Sequence, residues 1–393
     1  MTVIEYRKLG DVCEVSRGTN ITRKSAVVGD VPVVAGGIKP TYFHNSPNRP
    51  ANIVTISGSG ANAGYVNFYD IPIYASDCTT VLPKHPEYLS TRYVYLYLRS
   101  TQKFIFDHLR QGSAQPHVYP RDISKLEIPV PPLPEQQRIV AILDEAFASI
   151  ASAVEATEKN LANAEELFQS QLNLYFNNSG DAVNDRASIF PISEVCYVIN
   201  GATPKTKVPS YWDGPHAWIT PAEMGNLTTP YIAETRRTIT DAGLSNCSAS
   251  LLPAKSVILS SRAPIGHLVI NQVPMATNQG CKGLIPHEGL ESKYLYYFLL
   301  ASVDLLNDLG SGTTFKELSA TKLKSVHIPV PPLPEQRRIV ATLDDLRKQS
   351  HNLEYLYGEK LDALAELKQS ILQKAFSGEL TTDPDKSLAE AGL

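Results

Sequence analysis

The chain has 393 residues, 43% hydrophobic and 19% charged, enough for two or more domains with their own cores and unlike a disordered protein. Five cysteines (Cys13, Cys78, Cys196, Cys247, Cys281) make an odd count without a CxxC pair, which argues against a disulfide framework or zinc site and fits a reducing cytosol. The N-terminal MTVIEYRKLG has no apolar signal core, and no run reaches the ~18 apolar residues of a membrane span, so a cytoplasmic protein with no membrane attachment is expected.

Formal net charge is -4, and it is unevenly spread. Residues 1–127 carry 14 Lys+Arg and 10 Asp+Glu, residues 128–177 carry 2 and 7, residues 178–327 carry 12 of each, and residues 328–393 carry 8 and 11. The acidic excess sits on two segments only. Overall acidity therefore does not exclude phosphate binding elsewhere.

The first 127 residues read as mixed α/β. VPVVAG, ANIVTISG and GYVNFY are short β-type runs broken by glycine and proline turns, and STRYVYLYLRSTQKFIFDHL is a helical patch rich in aromatics. The glycines of ISGSGANAG (Ile56–Gly64) do not fit GxGxxG and predict a tight turn. Next comes IPVPPLPEQQRIVAILD, Ile128–Asp144. Its prolines predict a stiff extended lead-in, with Pro134 at the first helical position and Glu135 favourably placed against the helix dipole.

No further proline or glycine appears before Gly180, and apolar residues fall at Ile139, Leu143, Phe147, Ile150, Val154, Leu161, Ala164, Phe168 and Tyr175. With Thr157 filling one slot, the steps alternate 4 and 3, the seam of a coiled coil.

The plan then repeats. Residues 178–327 carry SVILSS and HLVI as β-type runs and ESKYLYYFLLASVDLLNDL as the helical patch. IPVPPLPEQRRIVATLD follows at Ile328–Asp344, displaced by 200 residues and changed only at Gln137/Arg337 and Ile142/Thr342. The second seam runs through Ile339, Leu343, Leu346, Leu353, Tyr357, Leu361, Leu364 and Ile371. Each helix spans roughly 40 residues, about 60 Å. A single apolar stripe needs a partner, and the other copy is the obvious one; two separate helices, each on its own globular domain, are the alternative. Weaker likenesses link DVCEVSRG to SEVCYVING and SGANAGYV to SRAPIGHL. The chain is a tandem of two units, each a variable region followed by a nearly invariant segment.

Catalytic signatures are absent: there is no phosphate loop, no GxSxG elbow and no HExxH spacing among the nine histidines. Cys13 and Cys196 occupy equivalent places and read as small core residues. The variable regions instead hold loops of small residues followed by a basic side chain. These are Gly112-Ser113-Ala114-Gln115-Pro116-His117 and Gly312-Thr313-Thr314-Phe315-Lys316. Backbone N–H groups there suit phosphate oxygens, and Gln, Thr and Lys suit base edges; a plain connection between helix and strand is the alternative. Further DNA-contact candidates are Lys39 with Tyr42, Ser59, Asn62, Arg110, Lys205 with Lys207, Arg236, Arg262 and Lys282.

IPVPPLPEQxRIVAxLD, the long helix ending in LKQSILQKAFSGEL (Leu367–Leu380) and the doubled plan resemble the specificity subunit of type I restriction–modification systems, over essentially the whole chain. In the first copy the SGEL ending departs to NNSGD (Asn177–Asp181). The resemblance implies an α+β protein of two mixed α/β target-recognition domains, at 1–127 and 178–327. Two long α-helices, at 128–177 and in 328–393, separate them and pair as an antiparallel coiled coil in a pseudo-twofold tandem repeat.

It further implies a non-catalytic subunit in which each domain reads one half of an asymmetric bipartite target in double-stranded DNA. The helices set the spacing and dock methyltransferase subunits, and a translocating restriction subunit joins the complex. S-adenosylmethionine, ATP and magnesium then belong to those partners and not to this chain. The alternative is a helical scaffold that binds partners without reading sequence.

Overall fold

The computed structural model describes residues 5–40, 42–176, 187–262, 264–312 and 316–377. They fall into two compact units, Met1–Glu158 with Glu359–Leu393, and Lys159–Gly358.

In the first unit, β2 (Cys13–Arg17), β5 (Ile53–Ser57), β6 (Val66–Tyr69) and β8 (Cys78–Pro83) form an antiparallel sheet in the order β2-β8-β5-β6. A second sheet, β4-β3-β7, joins β3 (Val31–Val34), β4 (Phe43–His44) and β7 (Tyr74–Ala75). A two-stranded pair joins β1 (Tyr6–Lys8) to β9 (Glu127–Pro129). The strand β5 reads IVTIS and is buried throughout, because successive side chains serve two cores. Val54 and Ile56 face the core of the helix α1 (Thr91–Ser100), while Ile53 packs with Val34, Ile73 and Ala75. The proline-rich lead-in is thus a strand before it is a helix entry: Ile128 stands opposite Arg7.

The helix α2 covers Leu133–Phe176. Its first turn is closed by Glu135 and Gln136 N–H groups donating to Pro132 O, so Leu133 comes first and Pro134 second. This shifts the expected start by one residue. The second position also has an unpaired N–H, so proline fits there at no extra cost.

The second unit repeats the plan. The sheet β11-β18-β15-β16 comprises β11 (Cys196–Asn200), β15 (Val257–Ser261), β16 (Ile265–Asn271) and β18 (Cys281–Pro286), extended at its edge by β13 (Tyr231–Ile232). The smaller sheet β14-β12-β17 uses β12 (Trp212–Ile219), β14 (Thr238–Ile239) and β17 (Met275–Thr277), and β10 (Ser188–Pro191) pairs with β19 (His327–Val330). The central strand β15 again divides its side chains, Val257 and Leu259 to the helical core and Ile258 to the other. The helix α3 (Ser292–Ala301) takes the place of α1, and α4 covers Leu333–Ser377.

Each long helix gives one half to each unit. In the first unit Ile139 and Leu143 of α2 share a core with Leu372 and Ala375 of α4, with Phe147 and Ile371 at its edge, and Lys368 Nζ stands 5.0 Å over the Phe147 ring. In the second, Phe168 and Leu172 share a core with Ile339 and Leu343, with Leu346 at its edge. There Arg347 lies 4.7 Å over the Phe168 ring, and Ser350 Oγ donates to Ala164 O at 2.5 Å. In the second unit Ala164 and Phe168 meet Ser350 and Arg347, rising numbers on α2 against falling numbers on α4, so the segments run antiparallel there.

All the seam residues inferred from the sequence are buried or half-buried, including Ile150, Val154, Leu161, Leu353, Leu361 and Leu364. Ser350 fills the break between Leu346 and Leu353, and Thr157, which donates to Ala153 O, fills its slot on α2. Each helix also packs on the globular parts of both units, rather than on a single domain of its own.

The repeated PEQ is explained by Gln136 and Gln336, both fully buried. Gln136 Nε2 donates to Pro131 O (2.8 Å) and Tyr88 O (3.0 Å), and its Oε1 accepts from Ser90 N–H (2.9 Å). Gln336 does the same with Pro331 O, Gly289 O and Glu291 N–H. Ser90 and Glu291 are the N-caps of α1 and α3. One amide therefore ties each proline lead-in to the start of its domain helix. The hydroxyls of Tyr93 and Tyr294 donate to Pro129 O and Pro329 O, and Asp144 and Asp344 hold Arg92 and Lys293.

Candidate nucleic-acid interface

In each unit the C-terminal ends of the first and central strands and the N-terminal end of the strand between them meet at one edge of the sheet. In the first unit these are Arg17, Ser57 and Cys78; in the second they are Asn200, Ser261 and Cys281. The connections leaving this edge are glycine-rich and polar, and they carry the candidates Ser59, Asn62, Lys205, Lys207 and Arg262.

In the first unit, Gly58 O accepts from Val118 N–H (3.0 Å) and Gly60 N–H donates to Pro116 O (3.0 Å), so loop 58–65 and loop 110–118 are held together. Gly64 has φ +87°, and a Cβ there would stand 2.9 Å from Ile105 Cγ2, which is why this tight turn needs glycine. Ser59 donates to the Asp77 carboxylate and forms a backbone bridge with His117. Gln111 and His117 exchange backbone hydrogen bonds of 2.9 and 2.8 Å, and so expose Ser113 and Gln115 on the enclosed loop.

Arg110 lies 3.9 Å from the Phe106 ring centroid, with Nε donating to Ala63 O at 2.7 Å. Much of its donor capacity is therefore spent on the loop containing Asn62. Lys39 is exposed beside this group, since Ser57 Oγ donates to Gly37 O and Asn67 Nδ2 to Ile38 O. The Tyr42 hydroxyl is committed to Ile21 O (2.7 Å).

In the second unit Leu318 N–H donates to Ser261 O (2.8 Å), and Ser311 and Glu317 close the corresponding loop. Thr313 and Thr314 lie outside the described residues; Lys316 is exposed, with Nζ 3.4 Å from Asn307 O. Arg262 forms a backbone bridge with Glu317 and an ion pair of 3.9 Å. Lys282, opposite Asn200 in the sheet, is 6% exposed, and burial holds its pKa below the usual lysine range against the influence of Glu317.

Lys205 and Lys207 are exposed on a loop moored by Ala202 N–H to Thr277 O and by Asn278 Nδ2 to Thr203 Oγ1. Arg236 is exposed beside the short helix Pro221–Met224, its N–H donating to Glu223 Oε1.

Sequence reading missed several residues at this edge. Arg17, 3.7 Å from Asp77, ends the first strand, and Asn278 supports the second unit's loop. Arg237 stacks 3.6 Å over Trp212, next to the Arg236 that was singled out. None sits in a motif.

Cys13, Cys78, Cys196 and Cys281 are buried, and burial pushes each thiol up to about 12. Among the described residues no three His, Cys, Asp or Glu side chains stand together as metal ligands, and no helix is long and apolar enough to cross a membrane.

Residues 2–162 and 184–355 match the family model described as the type I restriction modification DNA specificity domain. The chain is 29% identical over 365 residues to the EcoR124I/EcoR124II specificity subunit of Escherichia coli, covering 87% of this chain and 86% of that protein. It is 40% identical over 172 residues to the MjaIX specificity subunit of Methanocaldococcus jannaschii, a match spanning 42% of this chain and 40% of that relative. The fold is similar to the HsdS subunit from Thermoanaerobacter tengcongensis (TM-score 0.62, 24% identity, 97% of this chain and 98% of that one). It is likewise similar to a chain solved in work on complex assembly and conformational transition of the type I R-M system (TM-score 0.72, 24% identity, 95% and 97%).

Proposed function

Because the chain belongs to the family of type I restriction–modification DNA specificity subunits, which are non-catalytic, we propose that its two loop edges are two DNA-reading heads. Each reads one half of an asymmetric bipartite target in duplex DNA. The observation that carries this reading is one scaffold used twice with different loop chemistry. Strand order, glutamine tie and bridged loop recur, while the residues at the edge differ between the units.

The long helices serve as the spacer. Forty-four residues at 1.5 Å rise amount to about 66 Å, more than one ~34 Å turn of B-DNA. The acidic, solvent-facing surface of α2 suits docking of methyltransferase subunits rather than a path along phosphate. A restriction subunit joins through them, and the methyl donor, ATP and magnesium are theirs.

The test is to co-express the chain with its methyltransferase partner in a host without adenine methylation and map modified bases. One bipartite motif with fixed spacing is expected, and exchanging residues 1–127 with 178–327 should exchange the halves. A chain-dependent motif that ignores the exchange, or no motif, refutes the reading.

A further inference from the structure

The two edges can be compared position by position. Ser59 and Arg262 are equivalent, each following the central strand and bridging to the returning loop, at His117 and Glu317 respectively. Thr79 and Lys282 are equivalent by register, lying opposite Arg17 and Asn200 in the same strand pair. Where the first unit has two hydroxyls, a histidine and the balanced pair Arg17–Asp77, the second has two cations and a single carboxylate, Glu317.

The Arg262 side chain is 36% exposed, and its Nε lies 3.2 Å from where a Cβ on Gly280 would stand, so a side chain there would press on the guanidinium. Behind it, Lys282 is 94% buried, and among the described residues its Nζ has no hydrogen bond or ion pair within 4 Å. Keeping a lysine charged in so buried a place is costly, and such a residue persists where its charge is used. The cluster holds one more positive charge than Glu317 can answer.

In the major groove guanine offers two adjacent acceptors, N7 and O6, whereas adenine sets a donor beside its acceptor. Resting on the DNA-reading assignment above, we propose that Arg262 is the specificity-determining contact of the second domain. It donates two N–H groups to a guanine of that half-site, and Lys282 is a positioning residue whose charge shares Glu317 and leaves the guanidinium free. The first edge has serine and threonine at these two places, so the contact made by Arg262 has no counterpart at the equivalent positions there.

The test uses the complex of the full chain with its methyltransferase partner. Arg262→Gln is expected to admit adenine at one position of the second half-site, because glutamine matches the acceptor–donor edge of adenine, with the first half-site unchanged. Lys282→Met removes the charge at similar volume. It should leave the thermal midpoint no lower while reducing guanine discrimination at that position by roughly tenfold or more.

The wild-type complex gives an independent measurement. A duplex with 7-deazaguanine at that position, lacking the N7 acceptor, should bind roughly tenfold more weakly than the guanine duplex. Equal binding of the two duplexes, a second half-site without a G·C pair, or a motif unchanged by both substitutions overturns the inference while leaving the bipartite reading intact. A wild-type chain that directs no bipartite motif instead refutes that reading, and this inference with it.

Discussion

Replacing Gln336 by leucine keeps the volume of a fully buried side chain but removes three hydrogen bonds. Pro331 O, Gly289 O and Glu291 N–H lose their partner where water has little access, and Glu291 N–H belongs to the cap of α3. A net loss of about 1 kcal/mol per bond, with more for any group left unsatisfied, gives about 3–4 kcal/mol. For a unit of some 200 residues, each kcal/mol moves the midpoint by ~2–4 °C, so a fall of roughly 6–16 °C is expected.

Calorimetry on the full chain should place this loss in the transition of the second unit, and hydrogen exchange should show faster exchange at Glu291. Gln136→Leu should do the same to the first unit, through Ser90. The two tied sets share no partner, so the costs should add in the double variant. A change below about 1 kcal/mol in both single variants would refute the claim that this glutamine is why the motif is repeated.

Other consequences are as direct. Phe376→Ala, which removes a ring packed 5.3 Å from both Tyr93 and Tyr97, should cost about 3 kcal/mol, and limited proteolysis should then cut first within residues 1–127 although the substitution lies near the other end of the chain. Gly64→Ala forces a side chain onto a φ of +87° and against Ile105; a loss of about 1–3 kcal/mol with weakened binding of one half-site is expected, and a wild-type midpoint would contradict the strain argument. Thiol labelling at pH 8 should begin at half-buried Cys247, since burial and a pKa of about 12 leave Cys13, Cys78, Cys196 and Cys281 roughly one part in ten thousand thiolate; labelling of these four at the Cys247 rate in native buffer would refute their placement.

By itself, the sequence determined whatever depends on neighbours along the chain. Steps of 3, 4 and 7 from Ile139 and from Ile339 mark a helical stripe, proline marks the entry and a 200-residue shift marks duplication. These are local periodicities, and one strand of text carries them whole. Ser350, the polar residue that breaks the second stripe, is buried between Leu346 and Leu353.

Tertiary structure alone decided what depends on residues far apart in the chain. Only the fold shows that the last turns of α4 complete the core of the first unit, with Phe376 against Tyr93 across 283 residues. Likewise, Lys39 and Lys282 are both lysines near a turn in the sequence, yet one is exposed and the other buried beside Arg262. Burial is set by strand register and by loops meeting from separate parts of the chain, and no local pattern encodes that meeting. The reading heads are therefore legible as regions in the sequence and as sets of side chains only in the fold.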